Sequence, residues 1–376
     1  MTLLGLTIDN LRLLTRVSLS PGSHINFITG DNGSGKSSLL EAIYLLGHGR
    51  SPKTDQLKQL IHYGADQFRV TGQIRHGHGQ LLIGVGYVNQ APVIHIQQSP
   101  TKRRDQLATL LPLQFVAPDS ERLLTGAPQQ RRAFLSWGAF HHTPMFFQSW
   151  RAYQAALKQR NALLKRPPRQ QTDLLTWNHE LAHHGQTLHE LVYTYLAELK
   201  PALMTLLNRF LPGLAVEFSY RNGWASDLSL EEALWRDQDR DLRHGFTHSG
   251  PHRSDLVIKL KQGLARDYLS RGQVRLLVLA MKLAQLNGYY QHPARLTRPC
   301  LLIDDFMLEL DQGNQQRLLD YLCGLDAQIF LTATAFSPEL LRQYDAQVIH
   351  LQQGQITENV CQTRNADAHI TQQACP

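Results

Sequence analysis

Residues 30–37 read Gly-Asp-Asn-Gly-Ser-Gly-Lys-Ser and fit the spacing G-x-x-x-x-G-K-[ST] without a mismatch. Glycines at these places let successive backbone amides turn into one concavity, and such an array of N–H dipoles suits phosphate oxygens. On this pattern Gly30, Asp31, Asn32, Gly33, Ser34, Gly35, Lys36, Ser37 and Ser38 form a candidate nucleotide site. Lys36 would reach the β- and γ-phosphate oxygens, and Ser37 would ligate Mg²⁺. The bland alternative is a structural glycine loop. Against it stand the apolar run HINFITG before the loop and the helical spacing of Leu39, Leu40, Ile43 and Leu46 after it.

A second candidate is Cys300-Leu301-Leu302-Ile303-Asp304-Asp305, an apolar run that ends in two acids. Such a run reads as a buried parallel strand whose C-terminal end delivers carboxylates. Asp304 would hold Mg²⁺ through water, and Asp305 would orient or deprotonate an attacking water. The alternative is a solvated acidic turn. A third candidate, Ser270-Arg271-Gly272-Gln273, stands directly before a long apolar helix. Ser270 is either an N-cap for that helix or, with the exposed amides, a phosphate contact.

The elements that must position these residues follow from hydrophobic periodicity. Strands are expected at HINFITG, LPLQFVAP, CLLI and QIFLTAT, a hairpin at VIHLQQGQI, and an antiparallel meander over 68–98. From about 119 to 245 the chain reads as helices with mixed faces, broken at RPPRQQ. The expected division is 1–118 and 246–362 as the two parts of an α/β domain, 119–245 as a helical insert, and 363–376 as a polar tail.

Bulk properties narrow the function classes. The 376 residues are 42% hydrophobic and 18% charged, which suits a folded core, and no apolar run approaches the ~20 residues of a membrane span. The N-terminus lacks a basic region and a small-residue cleavage site, so a cytoplasmic protein without a membrane partner is expected. Four cysteines without C-x-x-C spacing read as reduced thiols, and histidines in adjacent pairs do not read as metal ligands. The formal charge is +7, and residues 101–169 hold 12 Lys and Arg against three acids, so that segment is +9 and the rest is −2. A localised basic excess points to nucleic acid, with Arg131, Arg132, Lys158, Arg160, Lys165 and Arg166 as candidate contacts. A solvated basic helix face is the alternative. Phe146, Phe147, Trp150 and Tyr153 read as core by their spacing, and the acidic stretch 227–241 reads as a solvated helix. For His252 and Arg253, approach to phosphates and a plain Arg253–Asp255 pair remain equally open.

In that context LSRGQ (269–273) resembles the LSGGQ signature of ABC-type ATPases, with Arg271 in place of a glycine. Leu308-Glu309-Leu310-Asp311 resembles their D-loop, following acids that correspond to Walker B. The interval of 234 positions from Lys36 to Ser270 exceeds what a transporter ATPase has there. Within the superfamily, GDNGSGKSSLLEAIYLLGHGRS, FVAPDSERLLTGAPQQRRAFL, YQAALKQRNALLK, SGPHRSDL, SRGQVRLLVLAMKLAQ and DDFMLELD are similar to the bacterial RecF recombination-mediator family, over nearly the whole chain. The resemblance implies an ABC-type P-loop ATPase head, with a mixed sheet, flanking helices and an antiparallel β subdomain, plus an inserted helical domain. It implies an ATP-dependent homodimer in which Ser270, Arg271, Gly272 and Gln273 meet the γ-phosphate held by the opposite subunit. Lys36 and Asp305 would be catalytic, Ser37 and Asp304 would hold the metal, and the cofactors would be ATP and Mg²⁺. It further implies slow DNA-stimulated hydrolysis, binding to single-stranded, gapped or junction DNA, recombinase loading with RecR and RecO, replication-fork maintenance and support of the SOS response. The chain departs from the family at Leu308, where serine is usual, at Lys53, where arginine is commoner, at Ser254, where an acid is usual, and at Trp137. No switch histidine follows QIFLTAT; Thr332 and Thr334 lie there. A transporter ATPase subunit and a P-loop kinase for a small substrate are the competing readings.

Overall fold

The computed structural model describes residues 2–77, 79–165, 171–290 and 298–362. The chain forms two compact units, Met1–Pro118 with Pro293–Pro376, and Asp119–His292. The second unit takes in residues 246–292, which the sequence reading had placed with the α/β part. The helix Arg271–Tyr290 packs against the long helix Gln171–Phe210, and its apolar face is buried there. The tail at 363–376 and most of RPPRQQ lie outside the described residues.

In the first unit a six-stranded sheet runs Gln355–Gln362, Ala346–Gln352, Ile25–Thr29, Gln328–Thr332, Cys300–Ile303, Leu113–Val116. All neighbours are parallel except the first pair. INFIT, LQFV, CLLI and QIFLT are buried at every residue, as strands covered on both faces must be. Ile303 pairs with Leu331 and Thr332 pairs with Ile28, so three strands end level. The segments beginning at Gly30, Asp304 and Ala333 therefore leave one edge together. Ligands of open α/β sheets bind at that edge.

A second six-stranded sheet, antiparallel throughout, contains Leu3–Leu11, Leu14–Leu19, Phe68–His76, Gly79–Val88, Ala91–Ile96 and Ser99–Pro100. The helix Lys36–His48 packs on strands of both sheets, and Leu39, Leu40, Ile43 and Leu46 join one core with Leu6, Val70, Leu302 and Phe330. A Cβ on Gly72 would lie 2.4 Å from Leu46 Cδ1, so only glycine lets the helix approach the strand this closely.

The second unit is helical around a small antiparallel sheet, Gly263–Leu264, Asp255–Leu260, Glu217–Arg221. Pro128–His142, Pro144–Lys165, Gln171–Phe210 and Arg271–Tyr290 supply most of its core. Gln285 Nε2 donates to Phe134 O (2.8 Å) and to Tyr195 Oη (2.9 Å), tying three of these helices through buried polar groups. Phe146 and Tyr153 are core as expected, whereas Trp150 is exposed and Phe147 only half-buried.

Two polar expectations fail in this unit. Arg160 and Asp241 are completely buried against one another, Nη1 to Oδ2 2.6 Å. Arg160 also donates to Asn178 Oδ1 (2.6 Å) and Thr247 Oγ1 (2.8 Å), and Asp241 also holds His248 Nδ1 at 2.6 Å. Arg160 is thus an internal anchor and not a DNA contact, and Asp241 is not part of a solvated acidic helix. The stretch 227–241 instead forms two short helices, the first capped by Ser229 and Glu232 in a reciprocal capping box.

Candidate functional site: a phosphate cradle and its carboxylates

The cradle is built by glycines in conformations other residues avoid. Gly30 has φ 144° and Gly35 φ 109°, and a Cβ on Gly30 would fall 2.1 Å from Leu351 O. The loop is closed by Ser34 N to Asp31 O (3.1 Å) and by Gly354 N to Ser34 O (2.9 Å). Its amides then lead into the N-terminus of Lys36–His48, whose unpaired N–H groups add a favourable field for an anion. Lys36 is buried, and its Nζ donates to Gly30 O (2.6 Å) and Asp31 O (2.9 Å). These two carbonyls hold the ammonium against the loop backbone. Ser34 Oγ is buried without a hydrogen-bond partner among the described residues. An orphaned hydroxyl inside a ring of amides fits a phosphate-binding loop. Asp31, Asn32 and Gly33 are exposed, and Ser38 is half-buried in the first helical turn.

Facing the cradle, Ser37 Oγ donates to Asp304 Oδ1 at 3.1 Å. Thr332 Oγ1 donates to the same carboxylate oxygen (2.7 Å) and accepts from Asp305 N (2.9 Å). One hydroxyl thereby registers both acids, and it belongs to one of the two threonines that stand in place of a switch histidine. Asp304 is buried and Asp305 half-buried with φ 51°, a left-handed turn that swings its side chain off the strand direction. A serine hydroxyl beside a buried carboxylate is a hard-oxygen donor pair that fits Mg²⁺, which keeps several waters of its own.

Arg12 escaped the sequence reading. Its Nε meets Glu41 Oε2 at 3.2 Å, Glu41 is buried, and Ser51 Oγ donates to the same carboxylate. This links the hairpin turn after Leu3–Leu11 to the helix that starts in the cradle. A charged residue inside an apolar helix face was the available signal. Further along, Asp311 caps Gln312–Cys323, its Oδ1 accepting from Asn314 N (2.9 Å), and this hydrogen bond holds its carboxyl below the usual range. Glu309 has φ 61°, Leu310 is buried and Leu308 is exposed.

In the second unit Ser270 Oγ accepts from Gln273 N (3.3 Å), and Gln273 Oε1 accepts from Ser270 N (3.0 Å). This is the reciprocal cap of a helix start. Ser270, Arg271 and Gln273 are exposed and Gly272 is half-buried. His252 Nδ1 lies 2.6 Å from Tyr153 Oη, and its Nε2 lies 3.0 Å from Thr247 O. Burial pushes this imidazole down to about 4, so it is neutral near pH 7. The Arg253–Asp255 pair is absent. Asp255 instead receives two bonds from Arg131, Nε–Oδ1 2.7 Å and Nη2–Oδ2 3.1 Å.

Arg131 is buried, and it also donates to Gly126 O at 2.9 Å. Like Arg160, it is therefore removed from the candidate DNA contacts. Arg132 is half-buried and donates to Ser254 O (2.8 Å), Lys158 and Lys165 are exposed, and Arg166 lies outside the described residues.

The family model for the RecF/RecN/SMC N-terminal domain matches residues 2–358. A DNA replication and repair protein RecF of Vibrio campbellii is 36% identical over 95% of this chain and 100% of that protein. One from Vibrio cholerae is 38% identical over 89% of this chain and 93% of its own length. Among solved structures, that of the recombination mediator protein RecF with ATP, in the RecFOR pathway, has a TM-score of 0.84 at 26% identity and covers 96% of this chain and 97% of that one. A Pyrococcus furiosus Smc head domain shares the fold alone, with a TM-score of 0.60 at 14% identity. The fold is that of ABC-type ATPase heads, and the chain belongs to the RecF family of the RecF/RecN/SMC proteins.

Proposed function

We propose that this protein is an ATP-dependent DNA-binding protein of recombinational repair and replication-fork maintenance, which pairs on ATP and hydrolyses it slowly. The observation that carries the ATPase part is the chain Ser37–Asp304–Thr332–Asp305 beside the glycine cradle. The cradle amides and Lys36 hold the β- and γ-phosphates. Ser37 and Asp304 would hold Mg²⁺, which would supply charge neutralisation at the phosphates. Asp305 positions water in line with the γ-phosphate and takes up its proton. Ser270, Arg271, Gly272 and Gln273 serve the partner's γ-phosphate, where helix-start amides and a hydroxyl suit an anion. Their reciprocal cap opens to do so. Leu308, exposed where the family usually has serine, replaces a polar contact across the pair by an apolar one.

The DNA part rests on the family and on a basic sequence with pI near 9.3. The reading includes single-stranded, gapped or junction DNA as ligand, RecR and RecO as partners in recombinase loading, support of the SOS response, and a cytoplasmic location. A transporter role is disfavoured by the match over residues 2–358 to a family named for RecF, RecN and SMC. Light scattering of the full chain should show a doubled mass with Mg-ATP, retained on gapped DNA. Lys36→Met should stay monomeric and bind no ATP. Asp305→Asn should form the pair yet hydrolyse at least about 100-fold more slowly. A mass that ignores ATP would remove the paired mechanism.

A further inference from the structure

Several cations of the second unit come together around the turn 244–253. Helix Gln238–His244 ends in Arg243 and His244, both exposed, with Arg240 on the same face one turn earlier. Gly245 follows with φ 74°, and the end of a different helix comes alongside, Lys165 Cγ lying 3.4 Å from where a Gly245 Cβ would be. Phe246, next in the chain, is 39% exposed. The Arg253 guanidinium lies over its ring, Cζ 5.4 Å from the centroid, while the His244 and His248 rings stand 5.8 and 4.3 Å from it.

The acids of this region are occupied elsewhere. Asp241 is buried with Arg160 and His248, Asp237 accepts from Ser249 and pairs with Arg236, and Asp255 belongs to Arg131. Only Asp239 is an exposed acid on the short helix itself. Cations at a helix C-terminus would by themselves be ordinary dipole partners. Arg253 and Lys165 come from other elements, however, and Arg253 is held by an aromatic ring that is itself exposed to solvent.

We infer that Lys165, Arg243 and Arg253, with Phe246 holding Arg253 in place, form a contact surface for the DNA phosphodiester backbone. The inference rests on the DNA-binding reading above and gives it a surface. It keeps Lys165 from the basic residues expected to meet DNA and adds Arg243 and Arg253 from around the turn 244–253. Three elements converge to present positive charge with Asp239 as the exposed carboxylate on the short helix, a net basic footprint that suits a phosphate-tracking strip. A guanidinium stacked on a ring keeps its donor edge free for phosphate oxygens.

The test measures binding of labelled single-stranded and gapped DNA by the full chain, with ATP, across a salt series. Lys165→Ala/Arg243→Ala/Arg253→Ala should lower the magnitude of the log K against log salt slope by about two to three, since each phosphate contact contributes about 0.7 to 0.9. The loss should be independent of sequence, with ATP binding and thermal midpoint unchanged. Arg253→Lys, which keeps the charge, should retain the slope. Phe246→Ala should weaken binding with less change of slope, because Arg253 is freed and not removed. An unchanged slope in the triple variant, with wild-type binding intact, overturns this surface while leaving the DNA reading in place. Failure of the wild-type chain to bind DNA overturns both. Capture of a Glu-rich peptide by the wild type but not the triple variant, with DNA binding equal in the two, would assign the surface to an acidic protein partner instead.

Discussion

At the scale of single residues, Thr332 does more than its type suggested. Its hydroxyl donates to Asp304 and accepts from the Asp305 backbone, so it would set the distance between the proposed metal ligand and the proposed base. Thr332→Val keeps the shape and removes the hydroxyl. It leaves the Asp305 N–H without this acceptor, a cost of about 1–3 kcal/mol. Steady-state assays should show hydrolysis reduced about ten-fold or more while nucleotide affinity changes little. Hydrolysis equal to wild type would mean that the bridge is only structural. Lys36 illustrates a related point: its type and spacing were plain, but its resting hold on two loop carbonyls depends on coordinates.

At the scale of elements, Arg160 and Asp241 join the helix Pro144–Lys165 to the helix Gln238–His244 across 81 residues of sequence. Removing one partner strands a buried charge, and such losses cost about 3–5 kcal/mol. Asp241→Asn should therefore lower the denaturation midpoint markedly, and Arg160→Met should do so too. The double variant should recover part of the loss, because it strands no buried charge. A well-folded Asp241→Asn with an unchanged midpoint would show that this pair is not needed. The basic residues at 131 and 160 looked like surface charge because sequence shows a cation's presence and not its burial. Their acids, Asp255 and Asp241, lie far along the chain.

At the scale of the whole molecule, stability should respond to acid through His252. Its pKa is lowered to about 4 by burial, against an ordinary 6.5, so the unfolded chain binds the proton more readily than the folded one. The contribution is complete above about pH 6.5 and declines as pH falls towards 4, where the folded imidazole must also charge. Melting of the full chain should show a midpoint falling across that window. His252→Gln should reduce the fall, carboxylates accounting for what remains. A profile identical to wild type would place the acid sensitivity elsewhere. Two units with separate cores make it possible for this response to appear in one transition and not another.

The glycine loop between strand and helix and the acid-tipped strand were legible in the sequence because local rules dictate them. A glycine loop needs its residues at fixed spacing, and an apolar run with terminal acids can hardly be anything but a buried strand. The parallel strands at Ile25–Thr29 and Cys300–Ile303 and the helix start at Ser270 follow from the same short-range rules. Only tertiary structure decided that Thr332 joins the two acids and that residues 246–292 fold with the helices. It likewise decided which arginines face water and which face a buried carboxylate. The physical reason is common to all of these. Backbone conformation answers to neighbours in sequence, whereas hydrogen-bond partnership and desolvation answer to neighbours in space.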